Sequence, residues 1–352
     1  MSTGRGGRAR PLSHRLYVDS FAGSIAHRPW RVVHTLRSPP ARDRSEDGAV
    51  SDPIVAEEEA LSGFPAQMAT ERPKSWRIYW RRVKKRPAAL VGTIIFCIFL
   101  FLAVFGPWVA PYDYQAQDAK VRLDSPTLTH PFGTDQFGRD IFSRIVVGTR
   151  NIFLLGGIGT FIAVVIGTAI GLASGYVGGT SDEVVMRLLD VLLSFPSLLL
   201  ALVLLSTVGP SNLNIVFVVA ILYIPMVARV VRSMVLDLKN KEFVEAARVR
   251  GERRSYILFR EILPNSLPPL LVEASMRFSY SIFLVASLGF LGLGVQPPSP
   301  DWGLQINEAR NFFAIAPWTL LFPACTIALL VVSTNLMSDG LRQVMLPGGG
   351  RN

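Results

Sequence analysis

Four charged residues stand in otherwise apolar surroundings in this chain: Arg187 and Asp190, three apart, and Glu273 and Arg277, four apart. Both spacings bring side chains together on one helix face, where opposite charges pair. Inside a membrane span such charges mark a substrate path, a proton relay or a structural pair. Both pairs fall toward the cytoplasmic ends of their stretches, which favours structural pairs over transported-ion sites. No span centre carries the isolated acid that a proton-coupled carrier needs.

The other concentration of chemistry is "EAARVRGERRSYILFREILP", residues 245–264. Residues 241–250 are good helix formers. Phe243, Val244 and Ala247 share one face, with Glu242, Glu245 and Arg248 beside it. Gly251 fits the position just past a helix end. A second helix starts near Ser255 and runs to Leu263, with Tyr256, Phe259 and Leu263 on one side, and Pro264 blocks its continuation. The expected product is a small amphipathic knob suited to another protein's groove. Ala246 and Ala247 permit close approach, and Glu245 offers a charge for a cation there.

No phosphate loop of the Gly-x4-Gly-Lys-Ser/Thr type is present. No Ser/His/Asp or Cys/His set stands on a soluble scaffold. His130 is a lone histidine and the two cysteines, Cys97 and Cys325, sit mid-span, where buried apolar cysteine is the expectation. The chain thus reads as a non-catalytic protein that binds no cofactor or metal of its own, with its energy supplied by a partner.

The elements that position these groups are membrane spans. Half of the 352 residues are hydrophobic and 18% are charged. The apolar residues are blocked into uncharged runs at 87–112, 151–181, 191–228, 278–300 and 311–338. Each is as long as the roughly 20 residues that cross a hydrocarbon core. The third run is too long for one span and breaks at Val208-Gly-Pro-Ser-Asn-Leu213. Six spans follow, near 88–110, 152–176, 185–207, 213–231, 267–295 and 316–338. Pro196 and Pro225 are expected to kink the third and fourth. Gly159, Ala163, Gly167, Gly171 and Gly175, all four apart, form a small-residue stripe for close helix packing, with a partner of either the same or another chain.

The net charge of +10 is distributed as a topology signal rather than as a nucleic-acid footprint. Nineteen basic residues beside the spans fall on one side and six on the other. The positive-inside rule then places both termini and the 229–266 loop in the cytoplasm, with lipid headgroups as the first partners of these cations.

Residues 1–73 show no hydrophobic periodicity and are expected to form a disordered cytoplasmic extension. One reading starts translation at Met68. Residues 74–87, with Trp76, Tyr79 and Trp80 among basic residues, read as an interfacial anchor. In the external loop, Gly133 and Gly138 suggest tight turns. Thr134 or Asp135 is the expected cap of a short interfacial helix faced by Ile141, Phe142, Ile145 and Val146.

The pattern Glu245-Ala-Ala-x3-Gly251-x11-Leu263-Pro264 resembles the coupling loop of ATP-binding-cassette (ABC) importer permeases. "WRRVKKRPAALVG", "HPFGTDQFGRD", "SFPSLLLALVL", "FREILPNSLPPLLVEA" and "LGFLGLGVQPPSPDWG" resemble the shorter permease of the dipeptide, oligopeptide and nickel family, over residues 74–346. The resemblance implies an all-α integral membrane fold of six transmembrane helices, the type I importer fold, over 88–346, with a coupling loop at about 233–266 and a tail at 347–352. It implies a complex with a second homologous permease, two ABC ATPase subunits that bind ATP and Mg, and an extracytoplasmic substrate-binding protein. Glu245, Ala246, Ala247 and Gly251 would then dock on an ATPase, and Leu263-Pro264 would end the coupling element. Peptides are the first expected cargo and nickel the second; a self-contained secondary transporter is the alternative of another class. Two positions depart from the family pattern. Glu261 stands where Ile precedes the Leu by two, and Val285 stands where relatives often carry an acid. The segment 135–140, Asp-Gln-Phe-Gly-Arg-Asp, is a family marker without a derivable role.

Overall fold

Local chemistry sets where the helices start and stop. The computed structural model describes residues 86–345, all helix and loop apart from one isolated bridge between Thr134 and Asp140. The extension 1–73, the Met68 start, most of the anchor segment and the tail lie outside the described residues. Helix α1 (Pro87–Val109) begins on a proline, whose missing N–H costs nothing in a first turn. Helix α2 (Ile141–Val177) is capped by Asp140, which accepts from Ser143 N–H at 2.8 Å. The cap is therefore Asp140 rather than Thr134 or Asp135. Ile141 opens a 37-residue helix rather than a separate interfacial one.

Gly178, at φ +67°, ends α2 and begins a bent pair, α3 (Gly179–Leu193) and α4 (Ser197–Val208). These two meet at 84° across Ser194-Phe195-Pro196. The third span is thus broken rather than kinked, because Pro196 cannot donate into the preceding turn. Ser211 caps α5 (Asn212–Leu238), which runs through Pro225. Helix α6 (Glu242–Val249) is followed by α7 (Arg254–Phe290), and Asp301 caps the short α8 (Trp302–Ala309) before α9 (Trp318–Met345). Among the described residues, five helices are long and apolar enough to cross a membrane, or six if the bent pair is one span.

The core is the seam between α2 and α5, the most extensive helix pair. The stripe of small residues on α2 lies along it. A Cβ added at Gly171 would stand 2.5 Å from the Ala228 carbonyl oxygen, and one at Gly167 would stand 2.8 Å from Val227 Cβ. Gly159 meets Val219, Gly175 meets Val235, and Ala163 is fully buried. The partner of the stripe is therefore this chain's own α5. Lipid offers no hydrophobic drive between spans, so close backbone approach supplies the attraction through dispersion. Helices α7, α9 and α1 pack around this pair. Cys97 and Cys325 are exposed on it rather than buried, because α1 and α9 turn those faces outward.

Candidate functional site

The knob at one end of the bundle, called here the α6 end, is built from its anchor outward. Val244 and Ala247 are fully buried against Val231, Val235, Ile257 and Ile262. Phe243 packs beside them. At the C-terminus of α6, Gly251 N–H donates to Arg248 O at 2.9 Å and Glu252 N–H to Ala247 O at 3.1 Å. This double closure needs a left-handed residue, and Gly251 stands at φ +75°. The turn returns the chain into α7, so the knob is fastened at both ends to membrane-spanning helices.

Glu245 and Ala246 face outward, and so does Gly251. Ala247 does not: it is part of the anchor, and this corrects its expected docking role. The periodicity of an eight-residue helix places 244 and 247 on one face and 245, 246 and 249 on the other. Val249 is 86% exposed and Phe259 is 62% exposed. Both are exposed apolar residues, Val249 at the end of α6 and Phe259 in the first turns of α7. Val249 was legible in the sequence as an apolar residue on the charged side of α6.

Leu263-Pro264 does not end the element. Helix α7 passes through it, and residues Ile257–Ile262 just before it form a π-helical turn. A proline clashes with the carbonyl four residues back in a regular helix. The wider π-turn admits the ring, and Ser266 Oγ donates to the Ile262 carbonyl at 3.0 Å. The second part of the knob, from Arg254, and the span thus form one continuous helix.

The charged groups within the bundle pair differently from the expectation at one site. Arg187 lies 3.8 Å from Glu183, one turn earlier, with both side chains exposed. Asp190 instead meets Arg229 of α5. Arg187 and Asp190 are therefore not a pair, since an acid four residues before an arginine is better oriented than one three residues after it. Nearby, Arg232 clamps Asp182 through two 2.6 Å bonds, tying α5 to α3. Glu273 and Arg277 are 2.7 Å apart, with both side chains largely buried. They do not lie toward the α6 end. Arg277 Nη1 is 2.8 Å from Met226 Sδ, and Met226 is the fifteenth residue of the 27-residue α5. The pair therefore sits at mid-height. The reason is that α7 begins at Arg254, more than a dozen residues before the span expected from hydropathy.

At the opposite end, the α8 end, the segment 135–140 acquires a structural role. Asp135 accepts from Arg139 Nε at 2.6 Å and from Arg144 Nη1 at 2.5 Å. Glu308 of α8 accepts from the same two arginines at 2.7 and 3.1 Å. This network of two acids and two guanidinium groups joins the loop, α2 and α8. Trp302, fully buried, donates to the Ile145 carbonyl at 2.9 Å in support. His130 pairs with the capping Asp140 at 2.9 Å. Asp301 is buried at the start of α8. Loss of water pushes its carboxyl up to about 6, against the N–H groups of Leu304 and Gly303 and the charge of Arg144. A cavity of about 800 Å³ opens at this end, lined by Tyr112, Tyr114, Arg150, Asn151, Gln296 and Ser299 among others.

Comparison with known proteins agrees with this architecture. Residues 167–346 match the family described as binding-protein-dependent transport system inner membrane component. Residues 74–126 match the N-terminal transmembrane domain of oligopeptide transport permease C. The chain is 42% identical to the dipeptide transport system permease protein DppC of Alkalihalophilus pseudofirmus, over 77% of this chain and 90% of that protein. It is 41% identical to the glutathione transport system permease protein GsiD of Pectobacterium atrosepticum, over 77% and 91%. It is 38% identical to the probable D,D-dipeptide transport system permease protein DdpC of Escherichia coli, over 78% and 92%. A multi-pass helical bundle with an anchored knob at one end and these matches along most of its length belongs to the family of binding-protein-dependent transport system inner membrane components.

Proposed function

We propose that this chain is a permease subunit of an ATP-driven importer of short peptides. The observation that carries the reading is the α6 knob, anchored by Val244 and Ala247 against Ile257 and Ile262 of α7. Force applied at Glu245, Ala246 and Val249 passes through that buried contact into the 37-residue α7, and force at Phe259 acts on α7 directly. The relatives named for dipeptides and glutathione support peptides as cargo. The basic residues flanking the knob support a cytoplasmic α6 end.

The mechanism is alternating access. A second permease completes the path, and two ATPases bind ATP and Mg and close on one another. Each ATPase receives a knob, with Glu245 meeting a cation in its groove. Closure shifts a two-state bundle by binding one facing better than the other. A binding protein on the α8 side delivers the peptide. This chain contributes the path and the lever, and the partners contribute hydrolysis.

The test is purification in mild detergent of the tagged chain, wild type and Glu245→Lys, with identification of co-purifying subunits. Wild type is expected to bring a second permease and ATPase. Glu245→Lys is expected to keep the permease and lose most of the ATPase, because the charge at the contact is reversed. Full ATPase recovery with Glu245→Lys would remove the knob from the coupling role.

A further inference from the structure

The Glu273–Arg277 pair sits where charges are most costly, at the mid-height of the bundle. Stability does not account for it, since a buried ion pair is about as stable as, or less stable than, a well-packed apolar pair of similar volume. One exposed neighbour, Tyr280, also differs from the apolar residues Leu271 and Phe283 on the outward face of α7. The Arg277 guanidinium lies 5.2 Å from the ring centroid of Tyr280, which is 52% exposed. Tyrosine belongs to the headgroup layers rather than to the bilayer centre. By contrast, the exposed residues Val91, Ile94, Ile98, Phe101, Val104 and Phe105 of α1 are wholly apolar, as lipid requires. Although Glu273 Oε1 and Arg277 Nε are at ion-pair distance, neither atom makes a well-directed hydrogen bond. These two atoms are held face to face by charge, and Glu273 Oε2 and Arg277 Nη2 are polar atoms of the pair that lie outside this contact.

We infer that Glu273, Arg277 and Tyr280 form a mid-membrane station on the translocation path that takes the zwitterionic ends of a short peptide. This rests on the peptide-import reading above. Arg277 receives the C-terminal carboxylate and Glu273 the N-terminal ammonium, with the Tyr280 ring as the wall beside them. In the empty state the two side chains neutralise one another, so the open path carries no net charge. A peptide exchanges that pair for two intermolecular ones and leaves by the reverse exchange. The station holds peptides of differing side chains, because it addresses only the two groups every free peptide has.

The test uses the whole transporter in proteoliposomes, with uptake of dialanine, its N-acetyl derivative and its C-terminal amide. Each variant's rate is divided by the wild-type rate for the same peptide, which cancels the selectivity of the binding protein. Arg277→Gln is expected to lower dialanine uptake about tenfold and the amide far less, the size of one lost charged hydrogen bond. Glu273→Gln is expected to spare the N-acetyl peptide instead. The double variant Glu273→Met and Arg277→Met is expected to assemble normally yet carry dialanine slowly. An equal fall for all three peptides, or wild-type dialanine uptake by the double variant, overturns the station.

A second measurement is independent of delivery. Tyr280→Cys, in a Cys97→Ser and Cys325→Ser background, is expected to react with a water-soluble thiol reagent. Saturating dialanine under ATP turnover is expected to slow that reaction several-fold. An unreactive thiol places this face in lipid or in a sealed contact and also overturns the station. A wild-type complex that carries no peptide at all would refute the import reading itself.

Discussion

Arg139 Nη2 and Glu308 Oε2 lie 2.7 Å apart although 169 residues separate them, and this bond closes the α8 end of the bundle. It belongs to a network in which Asp135 and Glu308 together neutralise Arg139 and Arg144. Both arginines are almost wholly buried. Removing one acid leaves a guanidinium without compensation in a dry site. Asp135→Ala is expected to destabilise the protein by about 3–5 kcal/mol. Glu183→Ala, at an exposed pair, is expected to change stability by under about 1 kcal/mol. Thermal unfolding in detergent compares the two, and equal midpoints would mean that the network adds nothing.

The seam between α2 and α5 makes a sharper steric prediction. A methyl at Gly171 meets the Ala228 carbonyl oxygen at 2.5 Å, whereas one at Gly157 meets only Phe278, at 3.7 Å. Gly171→Ala is expected to cost about 1–3 kcal/mol through overpacking. Gly157→Ala is expected to be neutral or slightly stabilising through helix propensity. The same unfolding measurement decides between them, and an undisturbed Gly171→Ala midpoint would show that the helices separate freely.

Gly251 is constrained by backbone conformation rather than by space. Nothing stands within 4 Å of a Cβ there, yet φ is +75°. A β-branched residue is strained in that region, while asparagine tolerates it. Gly251→Val is expected to reduce ATPase co-purification, and Gly251→Asn to retain most of it. Equal loss in both would point to a need for close approach by a partner instead.

Asp301 predicts a pH dependence with a definite sign. Burial raises its carboxyl from 3.8 to about 6 in the folded protein. The folded state therefore binds the proton more tightly than the unfolded chain. The stability this contributes is fully present below about pH 4 and is lost as pH rises through about 6, a change of about 2–3 kcal/mol. Asp301→Asn keeps a side-chain oxygen for Leu304 N–H and cannot titrate. The midpoint of wild type relative to Asp301→Asn should fall between pH 4 and 7 and stay level above. Parallel curves would show that Asp301 does not titrate in that window.

The spans were legible because their signal is local. Blocked hydrophobicity, Pro and Gly punctuation and flanking charge each act within about twenty residues, and lipid leaves a helix little alternative. The knob was legible for the same reason: Val244 and Ala247 share a face by helical period, and Gly251 marks a left-handed turn. What neighbouring residues alone could not determine was which groups meet across helices. The partner of the glycine stripe, the joining of Asp190 to Arg229 and the role of Asp135, Arg139, Arg144 and Glu308 all depend on packing over long separations. So does the height of Glu273 and Arg277, which hydropathy misplaced because the start of α7 is fixed by a knob rather than by lipid. The passage of α7 through Pro264 has the same origin, since the π-turn before it is packed through Ile257 and Ile262 against Val244 and Ala247.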